Sequence, residues 1–164
     1  MKKIKAIIFD VDGTLTDGKI YMGEHGEVMK AFDIKDGCAI HDIMPKFQIE
    51  PVIITARNSK ILENRCSELN IKYLFQGCRN KLEKMKQVAE ELQIYPNKDG
   101  VYKELAYIGD DLIDIQCMEK VGIVGCPADA VNEVKKISDF VSKKNGGDGA
   151  VREFIEWILK ENSV

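Results

Sequence analysis

The stretch Ala6-Ile7-Ile8-Phe9-Asp10-Val11-Asp12-Gly13-Thr14 decides the fold. Four apolar residues run without a polar break, as in a strand buried on both faces of a parallel sheet. Two aspartates one residue apart follow, then Gly and Thr. The run delivers Asp10 and Asp12 to the carboxyl end of a strand, the edge where open α/β sheets bind ligands. Residues two apart share a face if the chain stays extended through Val11, so the two carboxylates are expected side by side. Such a pair repels itself unless a cation joins it, and hard oxygen ligands suit Mg²⁺. Asp-Gly alone is a common turn pair. The whole string behind an apolar strand is a candidate site.

Outward from this run, apolar stretches alternate with amphipathic ones. Strands are expected over 5–11, 51–55, 71–75, 105–109, 123–126 and 140–142. One helix is expected after Asp36 as N-cap, carrying Ile40, Ile43, Met44 and Phe47, with Pro45 kinking or ending it. Others are expected over 59–69, 81–92 with Asn80 as cap, 111–119, 130–137 and 150–160. The alternation predicts an α/β fold, a doubly wound parallel sheet with helices on both faces. Two short runs, 19–22 and 28–32, break the pattern and read as a β-hairpin inserted after the first strand, about 18–33. Its Tyr21, Met22, Val28, Met29 and Phe32 make an apolar projection that reads as a subunit contact. The alternative is that it folds back on its own core. A glycine-rich stretch and a last helix form a tail over about 145–161. No repeat or linker interrupts the chain, so 1–164 reads as one domain.

The composition is that of an ordinary globular chain, with 45% hydrophobic and 31% charged residues and a net charge of −3. That balance does not point to nucleic acid or a membrane surface. The basic start, Met1-Lys2-Lys3, lacks the apolar core of a signal peptide, and no window has the length of a membrane span. The five cysteines are odd in number and include no Cys-x-x-Cys. They read as reduced thiols of a cytoplasmic protein, without a zinc site.

Four pieces fall at the carboxyl ends of successive expected strands: Asp10 to Thr14, Thr55, Lys81 and Gly109-Asp110-Asp111. Each alone has a plain explanation as a turn residue, a surface lysine or a helix cap. Together they describe phosphoryl transfer. One carboxylate attacks phosphorus. A second gives and takes a proton. Mg²⁺ offsets the developing charge, while a hydroxyl and an ammonium hold the phosphate oxygens.

On the motifs DVDGTLTDG (10–18), VIIT (52–55), the lysine of GCRNKLE (77–83) and YIGDDLID (107–114), the chain resembles the haloacid dehalogenase superfamily over essentially its whole length. Thr16-Asp17-Gly18 before the hairpin, Leu74-Phe75-Gln76-Gly77 and the tail from Gly146 to Glu153 are similar to its capless branch, which contains 3-deoxy-D-manno-octulosonate 8-phosphate phosphatases. The resemblance implies a Rossmann-like core without a cap domain. It also implies a Mg²⁺-dependent phosphatase of a 2-keto-3-deoxy sugar-acid phosphate. The favoured substrate is the eight-carbon octulosonate 8-phosphate, used for lipopolysaccharide precursors. A nonulosonate or acylneuraminate 9-phosphate is the alternative. A further one is a non-catalytic tetramerisation module, like the related tails of acylneuraminate cytidylyltransferases. Such a module has no reason to keep Asp10, Asp12, Thr55, Lys81 and Asp110 together. Transfer of the phosphoryl group to an alcohol differs only in the acceptor, and the sequence does not separate it from hydrolysis.

By resemblance, Asp10 is the nucleophile and Asp12 the general acid/base, its backbone carbonyl also on Mg²⁺. Asp110 is the third protein ligand of the metal, with Asp111 an acidic neighbour supporting it. Thr55 and Lys81 bind phosphate. Arg57 faces the substrate carboxylate, which a guanidinium grips bidentately, and Arg152 contacts substrate from the tail. The branch forms homotetramers with hairpins meeting at the centre. A neighbouring subunit covers the site, and the tail reaches into an adjacent one. The chain departs from the branch at Ala56, where Gly is usual, and at Asp114-Ile115-Gln116-Cys117-Met118, where relatives often carry Pro.

Overall fold

In the computed structural model, which describes residues 3–161, six parallel strands form one sheet and two antiparallel strands a separate ribbon. Met1, Lys2 and 162–164, the ends of the expected domain, lie outside the described residues. In chain order the strands are β1 (Ala6–Phe9), the ribbon pair β2 (Tyr21–Gly23) and β3 (Gly26–Met29), β4 (Glu50–Ile54), β5 (Tyr73–Phe75), β6 (Tyr102–Ile108), β7 (Val121–Cys126) and β8 (Phe140–Val141). The order across the sheet is β5-β4-β1-β6-β7-β8. β1 is therefore flanked on both sides, and Phe9 pairs in register with Ile53 and with Ile108. The carboxyl ends of β4, β1 and β6 lie side by side.

The helices are α1 (Ile34–Cys38), α2 (Lys60–Glu68), α3 (Lys81–Glu91), α4 (Ile115–Met118), α5 (Asn132–Ile137) and α6 (Ala150–Glu161). Strand side chains alternate between the two faces of the sheet. Ile7, Phe9, Ile53 and Ile108 pack with Ile40, Leu62 and Phe154 on one face. Ile8, Val52, Ile54 and Tyr107 pack with Met85, Val88 and Met118 on the other. Both faces are thus dry, which is why the strand segments read as unbroken apolar runs. In α6, Val151, Phe154, Ile155 and Ile158 are fully buried at helical spacing, each worth about 1.5–3 kcal/mol of burial.

Three segments depart from the sequence expectation. Asp36 is not an N-cap. Asp33 caps α1, accepting from the Lys35 and Asp36 N–H groups, so the helix starts earlier and Asp36 turns inward. The run continues as a π-helical turn over Ala39–Ile43 and a 3₁₀ turn over Met44–Phe47. Pro45 is accommodated near the start of that last turn, where its missing N–H costs least. The expected helix over 111–119 divides into a 3₁₀ turn, Leu112–Asp114, and α4.

The glycine-rich stretch lies on its own chain. Gly147 N–H donates to the Thr14 carbonyl at 3.1 Å. A Cβ on Gly146 would fall 1.9 Å from the Gly13 carbonyl oxygen, so only glycine permits this approach. The segment therefore straps the loop that follows β1.

Candidate active site

β1 ends at Phe9, and the chain turns at once. The N–H groups of Thr14, Leu15 and Thr16 all point at the Val11 carbonyl, at 3.2, 2.9 and 3.0 Å. The Thr16 hydroxyl adds a bond to that oxygen and accepts from Gly13 and Gly18 N–H. This compact loop breaks the extended geometry on which a shared face for Asp10 and Asp12 depended. The two side chains take different partners, Asp10 pairing with Lys81 and Asp12 with Lys30.

Asp10, 6% exposed, turns into the sheet edge. Its Oδ1 accepts from Lys81 Nζ at 2.6 Å, and the same ammonium reaches Asp114 Oδ1 at 2.7 Å. Lys81 begins α3, which Asn80 caps. Asp110, at the end of β6, accepts from the Thr14 hydroxyl at 3.0 Å. Asp10, Asp110 and Asp114 bring one carboxylate oxygen each within 4.8 Å of one another. Gly13 makes room for this group: at φ +100° it adopts a backbone that L residues avoid, and a Cβ there would meet Asp110 Oδ2.

The charge balance explains the titration of the cluster. Burial first, then the neighbouring Asp114 carboxylate, push the Asp10 carboxyl up to about 8, although Lys81 pulls the other way. Burial and Asp114 likewise lift Asp110 to about 6. Burial alone would lower the Lys81 ammonium, but the Asp10 and Asp114 carboxylates drive it above its ordinary value. Three close carboxylates hold more negative charge than one ammonium can offset. The geometry is a cation site by the chemistry of its donors: hard oxygens, buried and crowded.

Asp114 is the residue that the sequence reading passed over. It is fully buried and takes four donors. Its Oδ1 accepts from Lys81 and from the Tyr107 hydroxyl at 2.7 Å, its Oδ2 from Asp110 and Asp111 N–H at 3.1 and 3.2 Å. Asp111 was expected beside the metal. Instead its side chain caps the 3₁₀ turn by accepting from Leu112 N–H. The turn brings Asp114, three residues on, beneath the cluster. The spacing Asp110, Asp111, Asp114 was a visible signal, since a single turn returns the third acid to the first two.

Asp12 faces the hairpin side. Its Oδ1 pairs with Lys30 Nζ, and its Oδ2 lies 3.7 Å from Arg57 Nε. Glu27 of β3 joins them, 3.0 Å from Lys30, 3.5 Å from Arg57, and bonded to the Ser59 hydroxyl. Burial alone would raise the Glu27 carboxyl, but the hydrogen bonds from Ser59 and Lys30 outweigh it and hold it below its usual value. Lys30 and Glu27 carried no signal in the sequence beyond their place in the hairpin. Thr55 is buried at the end of β4, where its N–H donates to Phe75 and its carbonyl accepts from Cys78. Thr55 thus follows β4, which flanks β1, while Lys81 opens α3 after β5, one strand further out, and reaches Asp10 through its long side chain.

Arg152 does not join this group. Its Nε pairs with Glu156 at 2.6 Å, its N–H donates to Asp36, and its guanidinium lies 3.7 Å from Cys38 Sγ. It holds α6 against α1, on the face of the sheet that packs the larger core cluster.

Residues 78–155 match the haloacid dehalogenase-like hydrolase family. The 3-deoxy-D-manno-octulosonate 8-phosphate phosphatase of Escherichia coli K12 is 44% identical over 158 residues, 96% of this chain and 80% of that one. The crystal structure of the Yersinia pestis 3-deoxy-D-manno-octulosonate 8-phosphate phosphatase superposes with a TM-score of 0.88 at 41% identity, over 96% of this chain and 81% of that one. The Moraxella catarrhalis 3-deoxy-D-manno-octulosonate 8-phosphate phosphatase, solved with a magnesium ion, a phosphate ion and a KDO molecule, gives 0.87 at 35% identity, covering 96% and 86%. Sheet order, identity and coverage agree, and the chain belongs to the haloacid dehalogenase-like hydrolases, in the branch of the 3-deoxy-D-manno-octulosonate 8-phosphate phosphatases.

Proposed function

We propose that this chain is a Mg²⁺-dependent phosphomonoesterase that hydrolyses 3-deoxy-D-manno-octulosonate 8-phosphate through a phosphorylated Asp10. The observation that carries the reading is the buried Asp10, Asp110 and Asp114 cluster with Lys81 across it. The donor set fits Mg²⁺, which Asp10, Asp110 and the Asp12 backbone carbonyl would hold, with Asp114 fixing their surroundings. When bound, the ion supplies positive charge to the phosphoryl oxygens. Lys81 adds its ammonium to the same oxygens and orients Asp10 for attack. Thr55 offers a hydroxyl from the neighbouring strand end. Asp12 gives a proton to the leaving oxygen and later takes one from water. Arg57, half-exposed at the rim, suits a substrate carboxylate.

The same reading treats 1–164 as one catalytic domain with the hairpin as its insert. Exposed Met22, Val28 and Met29 support a homotetramer that meets through this ribbon. No helix among the described residues is long and apolar enough to cross a membrane. The five free cysteines suit a cytoplasmic enzyme.

The test is phosphate release with and without Mg²⁺ from octulosonate 8-phosphate, two nonulosonate 9-phosphates and simple sugar phosphates. The expected result is a metal-dependent kcat/KM that favours the eight-carbon acid, and none in D10N at unchanged fold. A preference for a nine-carbon acid would move the substrate. Wild-type turnover in D10N would overturn the nucleophile.

A further inference from the structure

Lys30 is the most deeply buried charged side chain of the hairpin. Lys30 follows β3 directly, and only 2% of its side chain is exposed. An ammonium so buried is costly unless carboxylates surround it. Its partners are Asp12 Oδ1 and, at 3.0 Å, Glu27 Oε1. Glu27 is itself fixed by the hydroxyl of Ser59, the cap of α2. The charges of Asp12, Glu27, Lys30 and Arg57 sum to zero. Within this set the two Asp12 oxygens are not equivalent. Oδ1 is held from the hairpin side. Oδ2 makes no hydrogen bond among the described residues, Arg57 Nε lying beyond reach at 3.7 Å, and 18% of the Asp12 side chain stays open.

We propose that Lys30 is a positioning residue for proton transfer: it anchors Asp12 by Oδ1 so that Oδ2 meets the ester oxygen, and its charge stabilises the carboxylate that remains after the proton leaves. The proposal rests on Asp12 as the acid/base. In the first step the Asp10 oxygen bonds to phosphorus as the ester P–O bond breaks, and the Asp12 Oδ2 proton goes to the departing alkoxide. In the second, a water oxygen bonds to phosphorus, its proton goes to Oδ2, and the P–O bond to Asp10 breaks. Lys30 keeps its proton throughout. The hairpin is then part of the reaction machinery as well as an apolar surface.

Leaving-group dependence distinguishes this from a merely structural anchor. An alkoxide needs the proton; p-nitrophenolate does not. kcat/KM reports the steps up to phosphoryl transfer to Asp10. It is measured for octulosonate 8-phosphate and for p-nitrophenyl phosphate, at saturating Mg²⁺, in wild type, K30M, K30Q, K30R and D12N. K30M should lose about 100-fold on the sugar ester and less than about threefold on the aryl ester. K30R should recover the sugar ester to within about tenfold of wild type, since it restores the charge. Equal losses on both esters, or no loss, overturn the proposal. If circular dichroism shows K30M unfolded at the assay temperature, K30Q, polar but uncharged, is judged by the same criterion. D12N must itself lose more on the sugar ester. If it does not, the acid/base assignment falls and the proposal with it. If D12N does and the Lys30 variants do not, only the proposal falls.

Discussion

Replacing Asp36 with Asn should change how stability depends on pH. Asp36 is 1% exposed. Its Oδ1 accepts the Arg152 N–H at 2.7 Å, which ties α1 to the first turn of α6. Its Oδ2 is buried without a hydrogen-bond partner among the described residues. Burial pushes the carboxyl up to about 6 from an ordinary 3.8, against the pull of the Arg152 N–H and with added repulsion from Asp33. The folded state therefore binds the proton more tightly than the unfolded chain. The stabilisation is fully present below about pH 4 and is lost as pH rises through about 6. At about 1.4 kcal/mol per tenfold, the ionised side chain costs the fold about 3 kcal/mol at neutral pH.

Asn keeps the Oδ1 acceptor and cannot ionise. Its amide NH₂ takes the place of an Oδ2 that has no hydrogen-bond partner among the described residues, a cost that does not vary with pH. The measurement is urea unfolding of both proteins at two pH values. About half of the Asp36 penalty is present near pH 5 and nearly all of it near pH 7.5, so the stability of D36N relative to wild type should rise by about 1.5 kcal/mol between them. A difference that stays constant over that interval would refute the reasoning. It would mean that water reaches Oδ2 and burial does not control the group.

Two further outcomes concern the site. G146A should lower kcat/KM about tenfold or more on alkyl and aryl esters alike, because the new Cβ presses on the Gly13 carbonyl and moves the nucleophile loop; wild-type kinetics would show that the strap does not hold that loop. R57M should raise KM for the carboxylate-bearing substrate by about 10- to 100-fold, with a smaller effect on p-nitrophenyl phosphate; equal changes on both would place the guanidinium's role at Asp12 and not at the substrate carboxylate.

What could be read from the sequence followed from local physics. β1 and the carboxyl-terminal parts of β4 and β6 are dry on both faces, so their side chains leave continuous apolar runs. Ser59 and Asn80 announce α2 and α3 because a cap acts on N–H groups within three residues. The same rule misled at α1, where Asp33 and Asp36 are both suitable caps and only packing against α6 decides which one turns inward. Asp10 was legible, but its partner was not. Alternation would pair it with Asp12, yet three N–H groups converging on Val11 curl the loop, and the two carboxylates take different lysines. Asp114 and Lys30 were missed for a common reason. Their importance comes from a fold-back that brings distant or turned segments under the strand ends; for Lys30 the sequence pattern holds no trace of it, and for Asp114 the trace lies in the spacing of three acids within one turn, outside any strand pattern.

That fold-back also gives a physical account of how a chain without a cap domain keeps its nucleophile loop fixed. A loop of eleven residues, 10–20, after a strand end would order itself poorly, since each ordered residue costs about 1–2 kcal/mol of backbone entropy. Here it is gripped from two sides. The strap at Gly146 and Gly147 rests on the backbone of Gly13, Thr14 and Thr16, where side chains would not fit. The hairpin reaches Asp12 through Lys30. One grip comes from just after β3 and the other from just before α6, so the loop is complete only when both of these distant segments have packed. α6 cannot then be trimmed to test the strap, because Val151, Phe154, Ile155 and Ile158 would leave the core with it. Loss of activity in such a truncation would report unfolding. Single substitutions at Gly146 and Lys30 separate the two grips while leaving that core in place.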